Sequence, residues 1–136
     1  MYLLDTNVIS ETRKPRPHGA VLAWIASTPS DQLSLSAVTI GELQRGVERV
    51  RKYDMAKAAE INDWIDHLDK AFEIIAPDGP IFRGWAALMK SRANNAWEDA
   101  LIAATARNRG MIVATRNLQD FNGLGIEVFN PFTFKS

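Results

Sequence analysis

The chain has 136 residues, 46% of them hydrophobic, with no cysteine and with 16 basic residues against 16 acidic ones. This length suits one compact domain over residues 1–136, and the apolar content supplies a core and excludes a disordered chain. The lack of cysteine excludes disulfides and thiolate metal sites, and the balanced charge argues against a broad surface that grips long nucleic acid through its phosphates. No apolar run approaches the ~20 residues of a membrane span, and the N-terminus lacks the basic start and apolar core of a signal peptide. The expectation is a cytoplasmic protein with no membrane contact.

Tyr2, Leu3 and Leu4 form a short apolar run that stops at Asp5, and Thr6 to Ser10 continue as a helix. In an open α/β sheet, ligands bind beyond the carboxyl ends of the strands, so Asp5 falls where a charge is both desolvated and useful. It equally fits a helix cap. Arg13, Lys14, Pro15, Arg16 and Pro17 end the helix as a basic turn. Val21, Leu22 and Ile25 mark one face of a second helix that stops before Pro29, and Leu33 and Leu35 alternate with Ser34 and Ser36 as in a strand.

A helix is predicted from about Thr39, with Ile40, Leu43, Val47 and Val50 as its apolar stripe. Thr39 to Glu42 has the spacing of a capping box, which would commit Glu42 to the backbone. Arg45, Arg49, Arg51 and Lys52 give this helix a basic end that suits its dipole and could touch phosphate. Asp54 caps a longer helix whose seam runs Ile61, Ile65, Leu68, Phe72 and Ile75, with Trp64 beside it. An aromatic residue at this spacing is more often core than a base-stacking platform.

Ile74, Ile75 and Ala76 suit a brief strand, and Asp78 opens another helix with Phe82, Trp85, Met89 and Arg92 on one face, widened by Ile81 and Leu88. Residues 93–96 read as a loop. Trp97-Glu98-Asp99 opens an alanine-rich helix, Ala100 to Ala106, that must pack closely on several sides. Asp99 in its first turn meets the positive end of the dipole, which favours the ionised carboxylate. Gly110 ends the helix. Met111 to Ala114 is a buried strand, followed by Thr115, Arg116, Asn117 and Asp120, and Ile126 to Phe129 is a last short strand. Short apolar strands alternating with helices indicate an α/β protein with a small parallel sheet covered on both faces.

His18 and His67 have no partners at ligand spacing, and Gly123-Leu124-Gly125 precedes a strand rather than a helix, so neither a nucleophilic triad nor a phosphate loop is present. The chemistry left is acidic. Asp5, Glu42, Asp99 and Asp120, with Asn117, lie near predicted strand ends and helix starts. A parallel sheet can gather such points at one edge. Carboxylates brought together raise one another's pKa and need a cation. An oxygen-only donor set selects Mg²⁺ or Mn²⁺, and such an ion activates water for phosphodiester cleavage.

Leu3 to Glu11, Thr39 to Leu43, Asp99 to Ala106 and Val113 to Asn117 resemble, in order and nearly end to end, the motifs of PIN domains, and most closely those of the VapC/FitB-like toxins of type II toxin–antitoxin systems. Phe129 to Phe132 resembles the usual ending of that family. The resemblance implies a PIN-like three-layer sandwich with a small central parallel sheet flanked by helices, and a Mg²⁺-dependent endoribonuclease in which Mn²⁺ can substitute. It makes Asp5 and Asp99 the principal metal ligands and Glu42 the acid that completes the pocket, an assignment that outweighs the capping reading. It makes Thr6 and Thr115 polar support. Arg13, Lys14, Arg45 and Arg116 become candidate RNA contacts.

The resemblance further implies a homodimer, a cognate VapB-like antitoxin, and DNA contact only through that antitoxin. The exposed helical faces between Asp54 and Arg92 are candidates for the antitoxin contact. Asn117 departs from the pattern, since many members carry a fourth acid there. An amide ligates without charge, which puts a second metal in doubt. Asp120 compensates if its turn aims it at the pocket, and otherwise is a solvated turn residue. A PIN-like RNA- or protein-binding module with a weakened site is the alternative reading. A phosphatase using Asp5 as nucleophile is disfavoured, because Asn7 stands where its second acid belongs.

Overall fold

Parallel strands cannot be joined by tight hairpins, so each is followed by a crossover that covers one face of the sheet. The computed structural model describes all residues 1–136. Strands β1 (Tyr2–Leu4), β2 (Leu33–Ser36), β3 (Glu73–Ile75), β4 (Ile112–Ala114) and β5 (Val128–Phe129) form one sheet in the order β3-β2-β1-β4-β5. All four pairings are parallel. The helices are α1 (Thr6–Glu11), α2 (Gly19–Ser27), α3 (Ala37–Arg51), α4 (Met55–Ala71), α5 (Gly79–Met89) and α6 (Trp97–Arg109). No helix is long and apolar enough to cross a membrane.

Successive side chains of a strand point to opposite faces, and β1 divides its neighbours between two cores on that basis. Leu4 joins Val8, Ile9, Val21, Trp24 and Leu35 under α1 and α2. Leu3 joins Ile102, Ala103, Ala106 and Val113 under α6. The result is three layers, as expected. The small side chains of α6 let it lie close against the sheet: Ala100 to Ala106 are all buried. Gly110 takes the left-handed conformation, φ 65°, that closes this helix.

Six local expectations are corrected. The N-cap of α3 is Ser36, whose Oγ accepts from the Val38 N–H at 3.1 Å, so the helix starts two residues before Thr39 and no capping box forms there. The serines of β2 are buried along with its leucines, because a central strand is covered on both faces. In α2 the buried residues are Val21 and Trp24, and Leu22 is exposed. In α5, Ile81 points inward with Trp85 and Leu88 beside α6, while Phe82 is exposed. Phe72 and Ile75 lie past the end of α4, so the seam read there ends at Leu68. The last strand begins at Val128 rather than Ile126.

Strands β1, β2 and β4 are adjacent and point the same way, so their carboxyl ends meet at one edge. Asp5 follows β1, α3 follows β2, and Thr115 follows β4. The Asp5 N–H donates to the Ala114 carbonyl at 2.9 Å, which fixes the ends of β1 and β4 against each other.

Candidate active site

Asp5 caps α1 and keeps a second oxygen for the site, so the two readings of this residue coexist. Its Oδ1 accepts from the Thr6 N–H at 2.9 Å, while Oδ2 accepts from Thr115 Oγ1 at 2.8 Å and from Asn7 Nδ2 at 3.1 Å. It is 7% exposed and forms no ion pair. Burial raises its pKa above the ordinary carboxylate value, the three hydrogen bonds oppose that rise, and the charge of Asp120 adds to it.

Glu42 approaches from α3. With Ser36 as the cap, Glu42 falls in the second turn and is free of the backbone. Thr6 Oγ1 donates to Glu42 Oε1 at 3.0 Å and lies 3.4 Å from the hydroxyl of Thr39. Burial, then a hydrogen-bonded contact with Glu98, and the charges of Glu98 and Asp5 push the pKa of Glu42 up to about 7, against the bond from Thr6.

Asp99 is the third acid, in the first turn of α6. Its pKa is pushed up to about 6 by burial and then by the charges of Asp5, Asp120 and Glu98, with Arg92 opposing. The pull of the helix dipole toward the ionised form is therefore outweighed at Asp99. A helix terminus contributes only ~0.3–1 kcal/mol, and desolvation beside three acids outweighs it. Asp5 thus stands between Glu42 on the β2 side and Asp99 with Asp120 on the β4 side.

Asp120 is exposed, as a solvated turn residue would be, and its charge still raises the pKa of both Asp5 and Asp99. Asn117 makes no side-chain hydrogen bond to the acids. It precedes a 3-10 turn without a side-chain bond, and its N–H donates to Thr115 Oγ1 at 3.0 Å. Sequence reasoning missed two residues. Glu98 lies against Glu42, and its only sequence signal was its place beside Asp99 in a first helical turn. Asn7 was used only to disfavour a phosphatase. Its amide donates to Asp5 Oδ2 and, at 3.3 Å, to Thr115 Oγ1, and its Oδ1 accepts from the Arg116 N–H at 3.1 Å, tying the ends of β1 and β4 together.

The basic candidates divide by partner. Lys14 pairs with the buried Glu11 at 2.9 Å, and the Arg116 guanidinium stacks 4.1 Å from the Phe132 ring centre. Arg13 sits over the Trp64 ring at 5.8 Å. Two grooves open from Glu42. One, of about 380 Å³, runs past Thr6, Arg13, Lys14 and Trp64. The other, of about 280 Å³, runs past Arg45, Trp97 and Glu98.

Three half-buried or buried acids without an ion-pair partner, Asp5, Glu42 and Asp99, hold either protons or a hard cation. All their donors are oxygen, the chemistry that Mg²⁺ and Mn²⁺ prefer. No three Asp, Glu or His side chains converge on one point closely enough to cage an ion. The donor set fits an ion that keeps much of its water and takes one or two carboxylates directly.

The chain is also similar to known proteins. The PIN domain family profile matches residues 2–124. The chain is 32% identical to Toxin FitB of Neisseria gonorrhoeae, over 97% of this chain and 99% of that protein. It is 34% identical to VapC ribonuclease Y4jK of Sinorhizobium fredii, over 97% and 98% respectively. Among solved structures it superposes on FitAB bound to an IR36 DNA fragment with a TM-score of 0.85, 33% identity, and coverage of 100% of this chain and 99% of that one. It also superposes on FitAcB from Neisseria gonorrhoeae with a TM-score of 0.82, 33% identity and coverage of 98% and 100%.

Proposed function

The chain belongs to the PIN-domain family, and from that premise we propose that it is an endoribonuclease toxin of a toxin–antitoxin module, hydrolysing RNA phosphodiester bonds with a divalent cation. The observation that carries this reading is the gathering of Asp5, Glu42 and Asp99, with Asp120 and Glu98, at the carboxyl edge of the sheet, each principal acid with its pKa raised and none ion-paired.

Asp5 and Asp99 would hold the ion, with Glu42 and Asp120 oriented toward its waters. Mg²⁺ is the proposed ion and Mn²⁺ its substitute. Bound there, the cation supplies a polarised water and offsets the charge that develops on the phosphodiester. Thr115, Thr6 and Asn7 orient Asp5 by hydrogen bonds to its two oxygens. Thr6 also holds Glu42, whose pKa of about 7 suits proton exchange with water near neutrality. Asn117 acts through its backbone N–H on Thr115, as a positioning group in place of a fourth acid.

The relatives named as VapC ribonucleases and the neighbours solved as FitAB complexes support an RNA substrate and an antitoxin partner, and any DNA contact would run through that partner. A single domain over the whole chain, a homodimer and a cytoplasmic location complete the proposal. Exposed Phe82 and Trp97 are the apolar residues available to an interface on the α5–α6 side. A non-cleaving binding module is the second reading. It is favoured by the lack of a ready-made cage of three acids.

Incubation of purified, antitoxin-free protein with total RNA and Mg²⁺ or Mn²⁺ decides between them. Cleavage that chelation stops and that Asp5→Ala and Asp99→Ala abolish is the expected result. Undiminished cleavage by those variants would overturn the site, and no cleavage by the parent chain would favour the module.

A further inference from the structure

We propose that the groove between α1, α3 and α4 is a base-stacking subsite for single-stranded RNA, with Trp64 as its platform and Arg13 as its movable lid. The inference rests on the ribonuclease reading and adds the place where a nucleotide beside the scissile phosphate is held.

Trp64 is half-buried on α4, packed beside Leu43 and Ile61, and it lines the groove. The Arg13 guanidinium lies over its ring. A π-face beside a cation is the combination that single-stranded nucleic acid uses, because every base stacks and every linkage carries a negative charge. The volume of about 380 Å³ lies at the small end of ligand clefts and suits one nucleotide rather than a long segment.

The groove runs directly into the acid site, since Thr6 and Glu42 line both. Its lining holds two cations, Arg13 and a Lys14 whose side chain is 57% exposed while paired with Glu11, against Glu42 as the single acid. The other groove has the opposite balance. There Glu42 and Glu98 outnumber Arg45, and the surplus of acid repels a phosphate chain. A strand would therefore enter by the Trp64 side.

The lid must move for this to happen. A base between two planes needs about 7 Å, twice the ~3.5 Å contact distance. Arg13 stands 5.8 Å from the ring centre, so its tip withdraws by a little over ~1 Å. Arg13 is exposed, lies just past the end of α1 and forms no ion pair, so the shift breaks nothing else.

The test uses the full chain, free of antitoxin and carrying Asp99→Asn, in chelator, so that binding is read without cleavage. Anisotropy of a short fluorescein-labelled single-stranded RNA of mixed sequence is compared for Trp64, Trp64→Phe and Trp64→Leu, each with its melting temperature. Stacking predicts that Trp64→Leu weakens binding by about 5- to 150-fold and that Trp64→Phe recovers most of it. RNA affinity unchanged in Trp64→Leu, or Phe no better than Leu, overturns the subsite. So does an unchanged RNA affinity with weakened antitoxin binding, which would assign the groove to protein. With Asp99 restored and Mg²⁺ present, cleavage at an unaltered KM in Trp64→Leu removes the subsite and leaves the ribonuclease reading standing. No cleavage by the parent chain removes that reading instead, while the affinity comparison still tests the groove.

Discussion

Two carboxylates lie at opposite ends of α1, and both are nearly out of solvent: Asp5 is 7% exposed and Glu11 is 5% exposed. Glu11 is fully provided for. Lys14 pairs with it at 2.9 Å, the His18 N–H donates to it at 2.9 Å, and these partners with Arg116 hold its pKa below the ordinary value despite burial. Asp5 has hydrogen bonds of similar length but only acids for charged neighbours, and its pKa is raised. Both are nearly closed to solvent, but Asp5 is the more deeply desolvated and Glu11 has the cation, so depth and the cation together make the difference. At one end of the helix the chain supplies it from its own sequence. At the other it leaves the charge for a ligand to complete.

The largest expected effect separates the two ends by activity. Asp5→Ala should lower RNA cleavage at least ~100-fold, since even groups that only orient metal ligands cost 10- to 100-fold when removed. Glu11→Gln should cleave at close to the parental rate. Equal losses in single-turnover cleavage would erase the contrast.

Asn7→Ala sharpens it. This change leaves every acid in place and removes the amide that aligns Asp5 Oδ2 with Thr115. A fall of ~10- to 100-fold in kcat with KM little changed is expected, and Asn7→Asp should not rescue it, because a carboxylate cannot donate to Asp5. A change confined to KM would make Asn7 a binding residue.

Stability should move in opposite directions at the two ends. Glu11→Gln removes a satisfied carboxylate and should lower the melting temperature. Glu42→Gln keeps an acceptor for Thr6 and removes repulsion with Glu98 and Asp5, so in chelator at pH 8 it should raise the melting temperature by a few degrees while cleavage falls. A destabilised Glu42→Gln would mean that this acid is held for structure.

The smallest effect is a slope. Glu42 rises from 4.5 to about 7 and Asp99 from 3.8 to about 6 on folding, so between those values the folded state binds more protons than the unfolded one. Their contribution is full at pH values below the unfolded ones and is lost as pH rises through about 6 and about 7. Glu11, with its pKa lowered, contributes in the opposite sense, above its ordinary value of 4.5, and loses that contribution as pH falls. In chelator, the melting temperature should therefore decline as pH rises from about 4.5 to about 7. Saturating Mg²⁺ should flatten the decline, because the ion takes the place of the protons. A flat profile in chelator would show that the acids do not repel one another as described.

The legible part of the molecule was local. Asp54 and Asp78 were readable as caps and are caps, accepting from the Lys57 and Ile81 N–H groups at 2.9 and 3.1 Å. Gly110 was readable as a helix end, and the alanine-rich run as a closely packed helix. Capping was misread at Thr39 because two cap residues three positions apart compete, and only packing chooses: Thr39 is fully buried and so serves inside the helix, leaving Ser36 as the cap. Glu98 was overlooked because nothing within its own turn distinguishes it from a solvated first-turn acid. Its partner Glu42 comes from another helix.

Sequence by itself determined the alternation of strands and helices, most caps, and which acids stand near strand ends, since these depend on contacts within about four residues. Only the tertiary structure decided which acids meet. Thr6 reaches Glu42 across 36 residues and Thr115 reaches Asp5 across 110. Those distances are closed by the order β2-β1-β4 at the centre of the sheet. Strand order is set by how the two cores pack, and no short stretch of side chains encodes it.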